Sequence, residues 1–313
     1  MITARLGMDT IPFNAKSIVT VGTFDGVHCG HQGIIRRMRN VAAEEGLRIV
    51  VVTFDPHPQI VLQKEGREPV QLLSTLEERC AVLEQHGVDL TVVIPFSREF
   101  AATPAESFVT DVIVKAIGVQ HFFIGHDHKF GKDRSGDEAL LKELAPRHGF
   151  EVEWIEPLAC DGVVVSSTRV RMALYDGDVE GAARMLGRPY DLTGRVVRGD
   201  GRGRELGYPT ANVVPVNQHK LLPGNGVYIV TAEVDGQTVV GMANIGVRPT
   251  FTDNTAPTLE VHLINFDIDI YDRNVRITFH RYLRKEQKFE SKEAFLQQLA
   301  EDKQQTHNFH TTL

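Results

Sequence analysis

Between Ser17 and about Cys160 the chain alternates two patterns of apolar and polar positions. Short runs of consecutive β-favouring apolar residues, "SIVTVGTF", "LRIVVVTF", "VDLTVVIPF", "QHFFIG" and "EVEWIEPL", are separated by stretches whose apolar positions recur every three or four residues. Strands apolar on both faces, each followed by a helix, predict a parallel sheet covered on both sides. Two of the helices mark their own ends: "STLEERCAVLEQHG" and "TPAESFVTDVIVKAIG" each place Glu three residues after a Ser or Thr cap, and each finish at Gly.

Past "VSSTRVRMALYDGDVEGAARMLGRPY" the pattern changes. "YDLTGRVV", "GVYIVTAEV", "QTVVGMANI", "TLEVHLINF" and "NVRITFHRYL" are short strands joined by Gly, Asp and Asn turns. They predict an all-β unit, a small barrel, closed by one helix near "SKEAFLQQLAED". The expected division is an α/β domain over 1–186 and a β domain over 187–313, joined by a short helical segment.

Composition agrees with two cores: 313 residues, 42% hydrophobic and 24% charged. Lys and Arg number 34 against 41 Asp and Glu, and a formal charge of -7 argues against nucleic acid as the main partner. The N-terminal "MITARLGMDTIPFNAK" lacks the apolar core of a signal peptide, and no apolar run reaches membrane-spanning length. A cytosolic protein without a membrane partner is expected. Cys29, Cys80 and Cys160, odd in number and without paired spacing, are expected to be reduced thiols. The sequence carries no signal of oligomeric state.

The first candidate site is "GTFDGVHCGH", a strand end turning into a helix start. Gly22 and Gly26 permit backbone geometry and close ligand approach, and Gly30 keeps the approach to the helix bare. In a parallel sheet ligands bind at the carboxyl ends of strands, and the free N–H groups of a helix start favour phosphate. His28 and His31, three residues apart, can present their imidazoles from the same side. A metal site of His28, Cys29 and His31 and a pair of ordinary packed histidines are the competing readings. A catalytic zinc usually takes three protein ligands, and no second Cys/His pair is spaced to help, so the phosphate reading leads. Farther along, "VVVSSTRVRMAL" puts Ser166, Ser167 and Thr168 at a helix start with Arg169 and Arg171 just inside. That reads either as a phosphate clamp or as an N-cap with solvated arginines.

"GTFDGVHCGH" together with "SSTRVR" resembles the nucleotidyltransferase superfamily with the His-x-Gly-His signature. The pair is similar to the adenylyltransferase half of the bacterial bifunctional riboflavin kinase/FMN adenylyltransferase family, also called FAD synthetases. "TFDPHP" and "GHDHKFGKDRSGD" sit where that family carries flavin- and nucleotide-binding loops, with His128 at a position that is often aromatic there. The resemblance implies a Rossmann-like parallel sheet and adenylyl transfer, in which the FMN phosphate attacks the α-phosphorus of ATP and pyrophosphate leaves. It implies that His28 and His31 stabilise charge on the triphosphate and that Ser166, Ser167 and Thr168 hold the β- and γ-phosphates. Arg171 would stabilise the departing pyrophosphate. Gly22, Asp25, Gly30, Phe54 and Asp127 would contact nucleotide or flavin, with Pro56 and Pro58 beside Phe54.

In the second domain, "GRVVRGDGRGRELGYPTANVVP" is rich in glycine and arginine but is not the GxxxxGK[ST] phosphate loop. Thr210 and Asn212, two apart on an extended segment, point the same way and offer the hard oxygen donors that suit Mg²⁺. In "TLEVHLINF" the apolar Leu259, Val261 and Leu263 take one face, leaving Glu260 and His262 opposite the core. An exposed strand glutamate is ordinarily solvated. "GRELGYPTAN", "GVYIV", "NIGVRPTF", "LEVHLINFDIDIYD" and "LRKEQKF", in that order, resemble riboflavin kinase, a six-stranded barrel closed by a helix. That resemblance implies Thr210 and Asn212 as Mg²⁺ ligands, Gly201 and Gly203 in the ATP loop, and Glu260 as general base on the riboflavin 5′-hydroxyl. The segment from Leu283 to Phe289 and the closing helix would cover the isoalloxazine. The whole chain is therefore expected to convert riboflavin to FMN with MgATP, and FMN to FAD. An aminoacyl-tRNA synthetase-like adenylate former and a flavin sensor without catalysis are the rival readings.

Overall fold

The computed structural model describes residues 1–63, 66, 69–125, 130–156, 159–160, 162–199, 207–247 and 257–311. The chain divides into two compact units, Met1–Ser166 and Ser167–Leu313.

In the first unit, β1 (Ile2–Arg5), β2 (Ser17–Val21), β3 (Arg48–Asp55), β4 (Leu90–Pro95), β5 (His121–Gly125) and β6 (Glu151–Ile155) form one sheet in the order β1-β4-β3-β2-β5-β6. Every pairing is parallel. Successive residues of one strand serve opposite cores: Val19, Val50, Val52 and Phe122 pack on one face, Ile18, Ile49, Val51 and Phe123 on the other. The alternation explains why these strands are apolar throughout. The sixth strand, β1, was not expected from the pattern. It is a four-residue edge strand in which only Ala4 is buried, so it carries almost no hydrophobic signal.

Helices α1 (Cys29–Glu45), α2 (Pro58–Val61), α3 (Leu76–Gln85), α4 (Arg98–Ala101), α5 (Ala105–Ser107) and α6 (Glu138–His148) complete this unit. The capping box expected before α3 is formed: the Glu78 amide donates to Thr75 Oγ1 at 3.2 Å and the Thr75 amide to Glu78 Oε2 at 2.9 Å. Thr103 does not play the same part. Its helix begins behind Pro104 with no side-chain cap and continues as a π-helical run, Phe108–Ile117, that ends where the Gly118 amide reaches the carbonyl of Ile113. Proline with φ near the helical value starts that helix by itself.

The second unit holds a closed barrel of β9 (Tyr190–Val197), β10 (Ala211–Pro215), β11 (Gly226–Val234), β12 (Gln237–Val247), β13 (Pro257–Leu263) and β14 (Asn274–Arg284). The order is β10-β13-β12-β11-β14-β9, closed by the β9–β10 pair and antiparallel throughout. Tyr190, Tyr228 and Phe279 fill its centre with ring centroids 5.5–6.3 Å apart. The hairpin Ala159–Cys160 with Val163–Val164 (β7, β8) closes the first unit, and α7 (Ser167–Tyr175) and α8 (Val179–Leu186) pack with the barrel. Gly224 donates to the Leu174 carbonyl at 2.8 Å, and Glu180 accepts from the Tyr282 amide at 3.2 Å. The helix Lys292–His310, capped by Ser291, follows the last strand.

Candidate active sites

The first site forms where β2 runs out. Phe24, Gly26 and Val27 all take positive φ, 48°, 82° and 41°, within four residues. For a β-branched residue this is a strained conformation, costing on the order of 1–3 kcal/mol. The loop is held by what it docks on. Asp25 is fully buried, and its carboxylate accepts from the amides of Leu73 (3.0 Å) and Ser74 (3.0 Å), while the Gly26 amide donates to Ser74 Oγ at 2.9 Å. Asp25, expected to contact a cofactor, is thus turned inward as a loop anchor, because the two amides just ahead of α3 need an acceptor there. Gln32 Nε2 donates to the Val27 carbonyl at 2.8 Å and ties the loop to α1.

His28 is the N-cap of α1 without a side-chain cap bond, and both it and His31 lie at the helix start. Their rings stack at 3.7 Å between centroids and 18° between planes, and Phe24 lies 4.8 Å from the His31 ring. Stacked imidazoles send their in-plane lone pairs side by side rather than to a common point, which disfavours the His28–Cys29–His31 metal reading. Burial, the neighbouring His28 and the nearby Arg79 cation hold the His31 pKa well below its ordinary value. His31 is accordingly a neutral imidazole that donates or accepts a hydrogen bond. A Cβ on Gly30 would come within 3.1 Å of the His28 ring and 3.6 Å of the Val165 carbonyl, and one on Gly22 within 3.1 Å of the Phe24 ring.

That Val165 carbonyl brings the chain beside Gly30 just before Ser166, the last residue of the unit. Ser167 and Thr168 open α7 in the second unit, Thr168 exposed, and Arg171 is buried one turn in. Phe54, next to last in β3, is half-buried and packs edge-on against Phe96 (5.6 Å, 84°), which in turn meets Phe100 at 6.0 Å. Phe96 and Phe100 extend an aromatic wall of which the sequence reading had only Phe54. Asp127 lies outside the described residues.

The second site is built by strand register. Asn212 on β10 lies opposite Glu260 on β13, and Glu260 lies opposite Asn244 on β12. One row across three strands therefore aligns an amide, a carboxylate and an amide. Thr210 Oγ1 is 3.4 Å from Glu260 Oε2, and Asn244 Nδ2 donates to Glu286 Oε1 at 3.0 Å. Asn244 and Glu286 were not foreseen; "VVGMANIG" reads as a plain barrel strand. His262 donates from Nδ1 to the Pro209 carbonyl at 2.9 Å, fixing its tautomer and tying the Pro209–Thr210 segment to β13. Burial lowers its pKa against the opposing effect of that bond. A Cβ on Gly199 would collide with the Asn212 amide. Gly201 and Gly203 lie outside the described residues.

Two cavities meet at Thr210. One, of about 380 Å³, is lined by Glu260, His262 and Asn244 on the barrel side and by Phe289, Phe295 and Leu299 opposite. Its rim is fixed by Arg284, whose guanidinium makes bonds of 2.7–3.1 Å to the buried Asp302 of the C-terminal helix. Leu259, Val261 and Leu263 face the barrel core as expected, whereas Glu260 is only half-exposed because this helix covers its face. The other cavity, about 400 Å³, runs from Thr210 past Val196 and Leu263 to Asp267 and Tyr271. The Arg198 guanidinium stands 4.7 Å over the Tyr271 ring.

A parallel sheet with an anion-type loop at a strand's carboxyl end, joined to a barrel with a polar row between two cavities, defines a two-domain transferase. Comparison with known proteins makes the class specific. The FAD synthetase family pattern matches residues 10–169, and the riboflavin kinase pattern matches 186–310. The bifunctional riboflavin kinase/FMN adenylyltransferase of Pseudomonas fluorescens is 42% identical over 283 residues, 90% of this chain and 89% of that protein. Its namesake from Bacillus subtilis is 37% identical over 302 residues, 96% and 94% of the two chains. A crystal structure from Streptococcus pneumoniae, described as a macrolide-efflux protein, superposes with a TM-score of 0.88 at 33% identity, covering 98% of this chain and 99% of that one. Among the described residues of this chain no helix is long and apolar enough to cross a membrane. The chain belongs to the bifunctional riboflavin kinase/FMN adenylyltransferase family. It is an enzyme of flavin-cofactor biosynthesis, taking riboflavin to FMN and FMN to FAD.

Proposed function

We propose that the two steps are carried by separate sets of residues, the adenylyl step within 1–186 and the kinase step within 187–313, in a cytoplasmic enzyme. The observation that carries the kinase assignment is the row Asn212–Glu260–Asn244 beside Thr210, where two cavities meet. Riboflavin enters the aromatic cavity under the C-terminal helix with its 5′-hydroxyl toward Glu260. ATP enters the neighbouring cavity, its phosphates reaching Thr210. Glu260 accepts the hydroxyl proton as the oxygen attacks the γ-phosphorus, and ADP leaves. Thr210 and Asn212 are hard oxygen donors, a pair that suits Mg²⁺. Bound there, Mg²⁺ would neutralise charge on the transferred phosphoryl group.

In the adenylyl step the FMN phosphate attacks the α-phosphorus of ATP. Neutral His31 and its stacked partner His28 donate hydrogen bonds to the triphosphate, where preorganised donors are worth most in the transition state. Gly22 and Gly30 leave room for it, and Ser166, Ser167, Thr168 and Arg171 take the β- and γ-phosphates and the departing pyrophosphate. Phe54 with Phe96 offers the flavin an aromatic wall, and Asp127 adds a further contact to nucleotide or flavin. Incubation with riboflavin, ATP and Mg²⁺ followed by chromatography tests the reading: FMN and then FAD are expected. FMN without FAD, or neither product, contradicts it.

A further inference from the structure

Arg79 heads the largest fully buried side chains among the described residues, 1% exposed, and no step of the chemistry above is assigned to it. A guanidinium stays charged at any physiological pH, and burying one costs several kcal/mol unless its donors are well used. Its Nη1 donates to Thr53 Oγ1 at 2.8 Å and to the Phe54 carbonyl at 3.0 Å, while the buried Nε has no hydrogen-bond partner among the described residues. Thr53 Oγ1 passes the connection on, donating to the Thr23 carbonyl at 3.0 Å. The N-terminal end of α3 is tied to the same loop, because Ser74, next to the Thr75 cap, binds both Asp25 and Gly26.

These contacts make a ring: Thr23 in the strained loop, Thr53 on β3, Arg79 on α3, then Ser74 and back to Asp25 and Gly26. The loop that ends in His28 is clamped at both sides by one helix, and a permanent cation sits in the clamp. We propose that Arg79 is a positioning residue of the adenylyl-transfer site, holding the ends of β2 and β3 in register and supplying a fixed positive charge beside the His28–His31 pair. This rests on the reading of that pair as the adenylyl site. The charged and titratable groups concerned are His28 and Arg79 around His31, and Asp25 from the loop, Asp55 from β3, and Glu77 and Cys80 from α3 around Arg79. The cation favours the polyanionic substrate and disfavours an imidazolium at His31, so the site meets ATP with His31 neutral.

The test uses the full chain with Arg79→Met, which keeps length and removes charge, and Arg79→Lys, which keeps charge. FAD formation from FMN and ATP is expected to fall by about 10²-fold in Arg79→Met, the usual consequence of a misplaced site. By imidazole NMR, the His31 titration midpoint is expected to rise toward the ordinary value. Arg79→Lys should recover much of the rate and keep the midpoint low, with riboflavin phosphorylation unchanged in both. Wild-type FAD formation in Arg79→Met overturns the proposal, as does an equal loss in both variants with an unmoved midpoint. If Arg79→Met loses the folded first unit by circular dichroism, Arg79→Lys against Arg79→Gln makes the same comparison. Should His31→Ala make FAD at the wild-type rate, the site reading itself fails; a dead His31→Ala beside a fully active Arg79→Met sinks only the role of Arg79.

Discussion

The two sites handle the same kinds of molecule, ATP and a flavin, yet they are built by opposite means. The proposed adenylyl site hangs on a loop with three positive-φ residues, kept in place by a buried Asp and a buried Arg. In the proposed kinase site barrel register aligns Asn212, Glu260 and Asn244, with no positive-φ residue among the three. A site on a loop can bring backbone amides and imidazoles close to a triphosphate, at the cost of an internal scaffold. A site on strands receives its geometry from the hydrogen-bond ladder and spends its side chains on chemistry. Substitutions beneath the first site should therefore propagate into it, whereas the second should respond mainly to changes in the groups that touch substrate.

The largest contrast is expected from Glu260→Gln, which keeps shape but cannot accept a proton. Riboflavin phosphorylation should fall by roughly 10²–10⁴ while FAD formation from supplied FMN stays at the wild-type rate. A steady-state assay of each half-reaction decides it, and near-normal phosphorylation would remove the base from the mechanism. Next comes His31→Ala, expected to lower FAD formation by about 10²–10³ and leave FMN formation intact. Equal loss of both activities in a folded variant would erase the distinction between the sites.

Asp25→Ala sharpens the comparison through stability instead of chemistry. It strips the acceptor from the buried amides of Leu73 and Ser74 and should destabilise the first unit by about 2–3 kcal/mol, seen as a lowered urea midpoint. A midpoint at the wild-type value would mean the loop holds without its anchor. The smallest effect is on pH. His31 has a folded pKa well below the value near 6.5 that it takes when unfolded, so the unfolded chain binds the proton first. The stability this neutral histidine contributes is fully present above about pH 6.5 and declines as pH falls toward the folded pKa. Hydrogen exchange at the α1 start should speed up on acidification through that window in the wild type, and the change should be absent in His31→Ala.

The sequence made the two architectures legible because their periods differ: continuous apolar strands demand cover on both faces, and short strands between turns demand a barrel. The strand β1 escaped because a four-residue edge has one buried side chain. Of the sites, His28, His31, Thr210 and Asn212 stood out by residue type and spacing, while Glu260 entered only through the resemblance to riboflavin kinase, since on its own it read as solvated and the helix that covers it lies about 30 residues downstream. Arg79 was overlooked although a signal was present: in "LEERCAVLEQ" it stands three residues after Leu76 and four before Leu83, on the face that the helix buries. An arginine in a helix reads as solvated until the neighbours of its face are known. Asn244 had no such signal, since its role comes from lying opposite Glu260 on the neighbouring strand, a pairing that strand register sets and residue type does not.

Independence of the two sites is the central claim, and complementation between two proteins that each lack one activity tests it most directly. Glu260→Gln should make no appreciable FAD from riboflavin, and His31→Ala should stop at FMN. Mixed in one vessel with riboflavin, ATP and Mg²⁺, they are expected to produce FAD, with FMN released by one protein and adenylylated by the other. A mixture that accumulates FMN but forms no FAD, while the Glu260→Gln protein still adenylylates added FMN at the same concentration, would contradict the account.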